Sequence, residues 1–288
     1  MKNKTLLIVG GTDGIGKTIG LKAGNENKVI IVGRSAEKGE ALVREFPNWE
    51  FYPKDMSEMR NVLSLAENLA QDHNHIDYII HTADILLDKR VETKEGLEIS
   101  VAINIYSRIL LNHLLVKKYG FTPSRIMHIA LAGAPFGQKS FMEDFPIKKE
   151  VSSTKAHMVG QIANDMYGLF LQRRLQDRVK VNILNPGMVD TDIRRNGELP
   201  VFMKVLSPIF ALMRPLIETT PEQYAEVPFS ILQGKNSIAE TNVLISPKGG
   251  IVKESNITSS ERNQEKFIER VEYSLKELID IDIDLSGI

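Results

Sequence analysis

Lys155, in the stretch EVSSTKAHMV, is a cation among small hydroxyl residues at what reads as the opening of a helix. Such a lysine can hold a sugar hydroxyl, lower a neighbouring phenol's pKa, or donate a proton itself. Far upstream, VGGTDGIGK places Gly10, Gly14 and Gly16 between an apolar run and a helical one. There the first glycine permits a tight turn and the second lets a pyrophosphate approach the backbone. The third allows close helix–strand packing. Thr12 and Ile15 share this loop, and a helix N-terminus facing it favours phosphate. The pattern predicts dinucleotide binding. At the end of the second apolar run, VGRS carries Arg34 and no acid. An acid there would accept from a ribose 2′-hydroxyl, whereas an arginine fork suits a 2′-phosphate. The expected cofactor is therefore NADP(H), with NAD(H) as the alternative. Asp13 argues for the alternative if its charge points toward the phosphate.

Other chemistries lack their residues. There is no cysteine, so no disulfide, thiol nucleophile or thiolate-held metal. The six histidines show no ligand spacing, and no Gly-x-Ser-x-Gly elbow is present. A net charge of −1 gives no reason to expect nucleic acid or an anionic membrane. The apolar start TLLIVG is too short for a signal core or a membrane span. The most apolar later segment, Leu199 to Ile217, is interrupted by Lys204, Arg214, Pro208 and Pro215. It reads as an apolar cap over a ligand or as one more core helix, not as an integral span. The absence of cysteine fits a cytoplasmic location.

The elements that would position these residues alternate. Thr5–Gly10 and Lys28–Gly33 are apolar runs that read as strands buried on both faces; Trp49–Asp55, Ile76–Ala83, Ser124–Ala132 and Val179–Gly187 read as further strands, with TNVLISP as a last one. Helical patterns lie between them: one capped by Ser57, a long one over about Lys94 to Tyr119, and the Lys155 helix ending near Gln176. A final helix over about Ser260 to Ile279 puts Phe267, Val271, Leu275 and Leu278 on one stripe. This βα alternation predicts an α/β fold, a parallel sheet with helices on both faces. It reads as a single domain over residues 1–288 with a small cap at about 196–218.

Taken in order, these residues resemble the short-chain dehydrogenase/reductase family, and within it the retinol-dehydrogenase-like members. GGTDGIGK is similar to the family's cofactor loop. KDMS matches the acid after strand three, which implies that Asp55 and the Met56 backbone flank the adenine. INIYSRILLNHLLV is similar to the fourth-helix motif and implies an active-site asparagine at Asn104. STKA matches the end of the Tyr-x-x-x-Lys motif, placing its lysine at Lys155, where it would hold the nicotinamide ribose. LNPGMVDTDI is similar to the Pro-Gly loop around the nicotinamide, which implies Pro186, Gly187, Val189 and Thr191. The resemblance further implies a doubly wound Rossmann sheet of seven parallel strands in the order 3-2-1-4-5-6-7. It also implies a homodimer pairing the fourth and fifth helices.

Three positions depart from the pattern. Asn-Asn-Ala-Gly after strand four reads HTAD, with Ala83 kept and Asp84 in place of glycine. Leu131 stands where a serine is expected, and Val151 where the tyrosine is expected. Neither can donate or accept a hydrogen bond through its side chain. Hydride transfer builds charge on a carbonyl oxygen, and the proton donor normally contributes about 10²–10⁴-fold. Replacements within reach of the sequence are Lys155, Ser152, Ser153, Thr154, His128, His157 and Asp84. Ser152 points about 100° away from position 151 on a helix. Glu143 and Asp144 precede the Lys155 helix and could fold over the site. His128 also reads as a satisfied sheet residue, His157 as a helix surface residue and Asp84 as a turn. Three functions follow: an atypical NADP(H)-dependent oxidoreductase on a small apolar substrate, a non-redox biosynthetic enzyme on the same fold, or a non-catalytic cofactor-binding sensor or partner subunit.

Overall fold

The computed structural model describes residues 1–87, 89–134, 145, 151–190 and 218–288. The segment about Leu199 to Ile217, Thr191, Glu143 and Asp144 lie outside the described residues. Seven strands form one sheet among the described residues: β1 (Thr5–Val9), β2 (Lys28–Gly33), β3 (Trp49–Pro53), β4 (Tyr78–His81), β5 (Arg125–Ile129), β6 (Lys180–Leu184) and β7 (Leu244–Ile245). Their order is β3-β2-β1-β4-β5-β6-β7, and every pairing is parallel. The expected order is therefore observed. Leu6 to Val9 and Val29 to Val32 are buried because helices cover both faces, which is why these strands are unbroken apolar runs.

The helices are α1 (Gly14–Ala23), α2 (Ala36–Glu45), α3 (Met59–Asp72), α4 (Ile99–Lys118), α5 (Ser153–Leu175), α6 (Pro221–Tyr224), α7 (Glu226–Leu232), α8 (Ile238–Thr241) and α9 (Glu261–Ile279). Two apolar layers result. One joins Leu7, Val9, Ile79 and Ile126 to α3, α4, α5 and α9; the other joins Leu6, Ile8, Ile80 and Met127 to α1 and α6–α8.

Three local expectations are corrected. α4 begins at Ile99, not near Lys94, because Glu92 and Glu98 pair across a turn at Gly96, whose φ is +79°. Glu98 then caps the helix through the Val101 N–H. Ser57 does not cap α3: its amide and hydroxyl both donate to Asp55 Oδ1, and the first amides of α3 donate to Glu95 instead. On α9, Phe267, Val271 and Leu275 are buried but Leu278 is exposed. Ile279 and Ile281 take the apolar role at that end.

By length and composition α4 could cross a membrane, yet 89% of its apolar window is buried inside the fold. Every residue from Val101 to Leu115 is buried. Tyr106 stacks on Phe145, which packs in turn on Phe267 of α9, so the C-terminal helix covers this layer.

Candidate functional site

The glycine loop owes its shape to close backbone approach. A Cβ on Gly16 would lie 2.3 Å from Gly10 O, and one on Gly10, whose φ is +90°, would lie 2.5 Å from Ala83 N. Thr82 closes the loop from β4, its hydroxyl within 3.0 Å of Val9 O and 3.1 Å of Gly10 O. Asp13 is the N-cap of α1. It accepts from Gly14 N and from Lys38 Nζ. Burial alone would raise its pKa, but those two donors hold the carboxyl below its usual range. Its charge is thus answered by Lys38, which weakens the repulsion of a nearby phosphate expected from sequence.

A cleft runs along the C-terminal edge of β1, β2 and β4. It is lined at one end by Arg34, Lys54, Asp55 and Met56, in the middle by the glycine loop, and at the other end by Ala83, Asp84 and Ile103. Gly10, Thr12, Gly14, Ile15, Gly16, Arg34, Asp55, Met56 and Ala83, all singled out in the sequence, line this one cleft. Gly33 lets Thr12 close in, since a Cβ there would meet Thr12 at 2.7 Å. Arg34 is exposed and pairs with no described residue.

The remaining expected residues lie elsewhere. Lys155 sits exposed in the first turn of α5, whose N-cap is Ser152, and is not among the cleft-lining residues. Pro186, Gly187 and Val189 follow β6, also outside that lining. There Gly187 N donates to Asn185 Oδ1 and Val189 bridges Thr219. Asn104 is buried in a π-helical turn of α4, Ala102–Tyr106. Such turns release carbonyls that side chains must satisfy. Ser107 Oγ donates to Ile103 O, and Asn164 Nδ2 donates to Asn104 O. The Asn104 side-chain amide donates to Asp84, and its Oδ1 is buried with no hydrogen-bond partner among the described residues. Val151 and Leu131 are only partly buried against the apolar layer.

A polar ridge on α5, not singled out as a set from sequence, faces the loops after β4 and β5. It consists of His157, Gln161 and Asp165, spaced every four residues. His157 is not the surface residue that one sequence reading makes it. Its Nδ1 lies 3.2 Å from Ile85 O and 3.5 Å from Asp84 Oδ1. Gln161 reaches both His157 Nε2, at 3.2 Å, and the Leu131 N–H, at 2.7 Å. Asp165 accepts from Gly133 N at 2.8 Å, and its other oxygen is buried with no hydrogen-bond partner among the described residues. Burial pushes this carboxyl up to about 7, against the pull of the Gly133 N–H. Polar residues at i, i+4 and i+8, which share one face of a helix, are the signal that marks the ridge.

Behind the ridge lies a fully buried chain. His81 Nε2 meets Asn112 Oδ1 at 2.8 Å, Asn112 Nδ2 meets His128 Nε2 at 3.1 Å, and His128 Nδ1 meets Asn164 Oδ1 at 2.9 Å. Arg108 Nη1 donates to the same Asn164 oxygen, and its Nη2 donates to Ala83 O and Ile129 O. Because Asn164 Oδ1 accepts from Arg108, His128 Nδ1 carries the proton that it donates there. His128 Nε2 then accepts from Asn112, and Asn112 Oδ1 accepts from His81. Burial pushes both histidines far down, His81 to about 3, so both are neutral. His128 is thus a satisfied interior residue and does not line the cleft described above.

The family model described as short chain dehydrogenase matches residues 4–130. The chain is 27% identical over 241 residues to retinol dehydrogenase 13 of Mus musculus, covering 78% of this chain and 71% of that protein. It is 25% identical over 248 residues to retinol dehydrogenase 14 of Homo sapiens, covering 78% and 73%. To polyprenol dehydrogenase of Mus musculus it is 24% identical, covering 67% and 62%. Among solved structures, a short-chain dehydrogenase/reductase of Brucella melitensis superposes with a TM-score of 0.65 at 15% identity, covering 88% of this chain and 98% of that one. One from Saccharomyces cerevisiae gives 0.64 at 17%, covering 85% and 96%. At those identities the superpositions speak for the fold.

Proposed function

We propose that this chain, which belongs to the short-chain dehydrogenase/reductase family among its retinol-dehydrogenase-like members, is an NADP(H)-dependent oxidoreductase of an apolar alcohol or aldehyde. The observation that carries this reading is the single cleft that joins the glycine cradle to Arg34 at one end and Asp84 at the other. The cradle fits a dinucleotide: its backbone approaches too closely for any Cβ at Gly10 or Gly16, and the N-terminus of α1 opens onto it. When bound, the nicotinamide supplies or accepts the hydride. Arg34 would hold the 2′-phosphate and Asp55 and Met56 would flank the adenine, while Lys155, Pro186, Gly187 and Val189 are the residues that the family resemblance assigns to the nicotinamide ribose and ring. The substrate class is supported by the relatives named for retinol and polyprenol, both apolar isoprenoid alcohols.

Titration with NADPH and NADH, followed by turnover of isoprenoid aldehydes and alcohols, tests the reading. Arg34→Ala is expected to weaken NADPH roughly 10- to 100-fold, the worth of a charge-assisted hydrogen bond, and NADH hardly at all. An equal loss for both cofactors contradicts the phosphate role. Saturable binding with no turnover would favour a non-catalytic cofactor-binding protein, the reading to which Val151 and Leu131 lend weight.

The homodimer that the resemblance implies is not part of this proposal. α4 is buried on all sides within its own chain, and α9 covers the layer it shares with α5. The protein is expected to sediment as a monomer at micromolar concentration. A stable dimer cross-linked through α4 would show that α9 leaves this face.

A further inference from the structure

We infer that Asp84 is the proton-transfer residue of this site, taking the place left by Val151, and that His157 and Asn104 are its positioning residues. This rests on the oxidoreductase reading above. Asp84 stands where the family's loop after strand four has a glycine, and it lines the cleft at the end away from Arg34.

Three groups fix its carboxylate. The Ile85 N–H donates to Oδ1 at 2.7 Å, the Asn104 amide donates to the same oxygen, and His157 Nδ1 lies 3.5 Å from it. The histidine's orientation follows from Gln161. Leu131 N–H occupies Gln161 Oε1, so the Gln161 NH₂ faces His157 Nε2, and that nitrogen must accept. The ring proton is thereby on Nδ1, directed at Ile85 O and Asp84. Leu131 and His157 therefore act together: the position that lost a serine hydroxyl contributes its backbone N–H to setting the imidazole. Asp84 Oδ2 has no hydrogen bond to a described residue, and the side chain keeps 17% exposure, a path to solvent.

For alcohol oxidation the balance is complete. The substrate O–H bond breaks, its proton moves to the Asp84 carboxylate, and its electron pair becomes the second C–O bond. With NADP⁺ bound, the carbon's hydride would pass to it, so that the products would be carbonyl, NADPH and the one proton that Asp84 returns to water. Reduction is the reverse and needs Asp84 protonated.

The test uses the full chain with NADP⁺ and an isoprenoid alcohol. Asp84→Asn is expected to bind NADP⁺ within about threefold of wild type and to lose roughly 10²–10⁴ in kcat, the usual worth of acid–base help. His157→Gln should lower kcat roughly tenfold and leave KM in place. Independently of turnover, saturation with NADP⁺ should move the ¹⁵N resonances of the His157 ring, and Asp84→Asn should remove that movement. If wild type does not bind NADP⁺, the reading of the site fails. If NADP⁺ binds but the His157 resonances stay still, or Asp84→Asn turns over normally, this inference alone fails. Should Asp84→Asn not fold, an unchanged kcat in His157→Gln overturns the positioning role and with it the inference.

Discussion

Arg108→Met is expected to cost about 3 kcal/mol of stability and to weaken cofactor binding by roughly tenfold, although residue 108 touches no cofactor. Arg108 is among the largest fully buried side chains of the fold. Its guanidinium bridges Ala83 O after β4, Ile129 O at the end of β5, and Asn164 of α5. Methionine fills similar space but donates nothing, leaving two carbonyls without their donor at about 1–3 kcal/mol each. Part of this loss is offset, because the buried cation itself is costly. Burial lowers the Arg108 pKa to about 10, and the Asp84 charge pulls it back up, so the guanidinium stays charged at neutral pH. The affinity loss follows because Ala83 lines the cleft and its carbonyl is held by this arginine. Urea denaturation and cofactor titration measure the two effects. Arg108→Lys should recover only part of either, since an ammonium lacks the planar fork that spans three acceptors. An unchanged urea midpoint in Arg108→Met would show that the carbonyls find other donors.

That arginine illustrates what the sequence did and did not disclose. The strands were legible because a parallel sheet covered on both faces demands unbroken apolar runs, and Val29 to Val32 within KVIIVG is one. The glycine loop was legible because its spacing encodes backbone clearances, now visible as the contacts a Cβ would make. His128 was legible as a satisfied sheet residue, but its partners were not. His81, Asn112, His128 and Asn164 come from four different elements, and nothing local in the sequence says which meets which. Only the tertiary fold shows that each satisfies the next. The start of α4 was misplaced for a related reason: the turn at Gly96 and the capping by Glu98 compete with a helical pattern that continues through them. Asp84 read as a turn residue, and its Ile85 contact is indeed of that kind. Its meeting with His157 needed α5 laid against the loop after β4. Where Pro186, Gly187 and Val189 stand relative to the cleft is likewise a matter of loop placement, which spacing does not encode.

The same interior makes the fold acid-sensitive in a predictable sense. His81 is held down to about 3, His113 to about 4 and His128 well below its ordinary value, in each case first by burial. An unfolded histidine titrates near 6.5. Above that pH neither state binds these protons, and the stability they confer is fully present. As pH falls below about 6.5 the unfolded chain takes up protons that the fold refuses, so stability is lost down toward pH 3 to 4. Each such histidine contributes about 1.4 kcal/mol per pH unit in that window. Asp165 works in the opposite direction. Its carboxyl, raised to about 7, is protonated in the fold while the unfolded residue ionises near 3.8. The stability this confers is present at low pH and disappears as pH rises through about 7. Three histidines outweigh one aspartate, so between pH 6 and 4.5 the net loss is on the order of 3 kcal/mol per pH unit. Urea denaturation across that range measures it. Asp165→Asn removes the opposing group and is expected to steepen the dependence by about 1.4 kcal/mol per unit. Stability that rises as pH falls from 6.5 to 5, by the roughly 1.4 kcal/mol per unit that Asp165 alone supplies, would mean that these histidines are already charged in the fold. The tautomers assigned along the His81–Asn112–His128–Asn164 chain would then be wrong, because an imidazolium at His128 could no longer accept from Asn112.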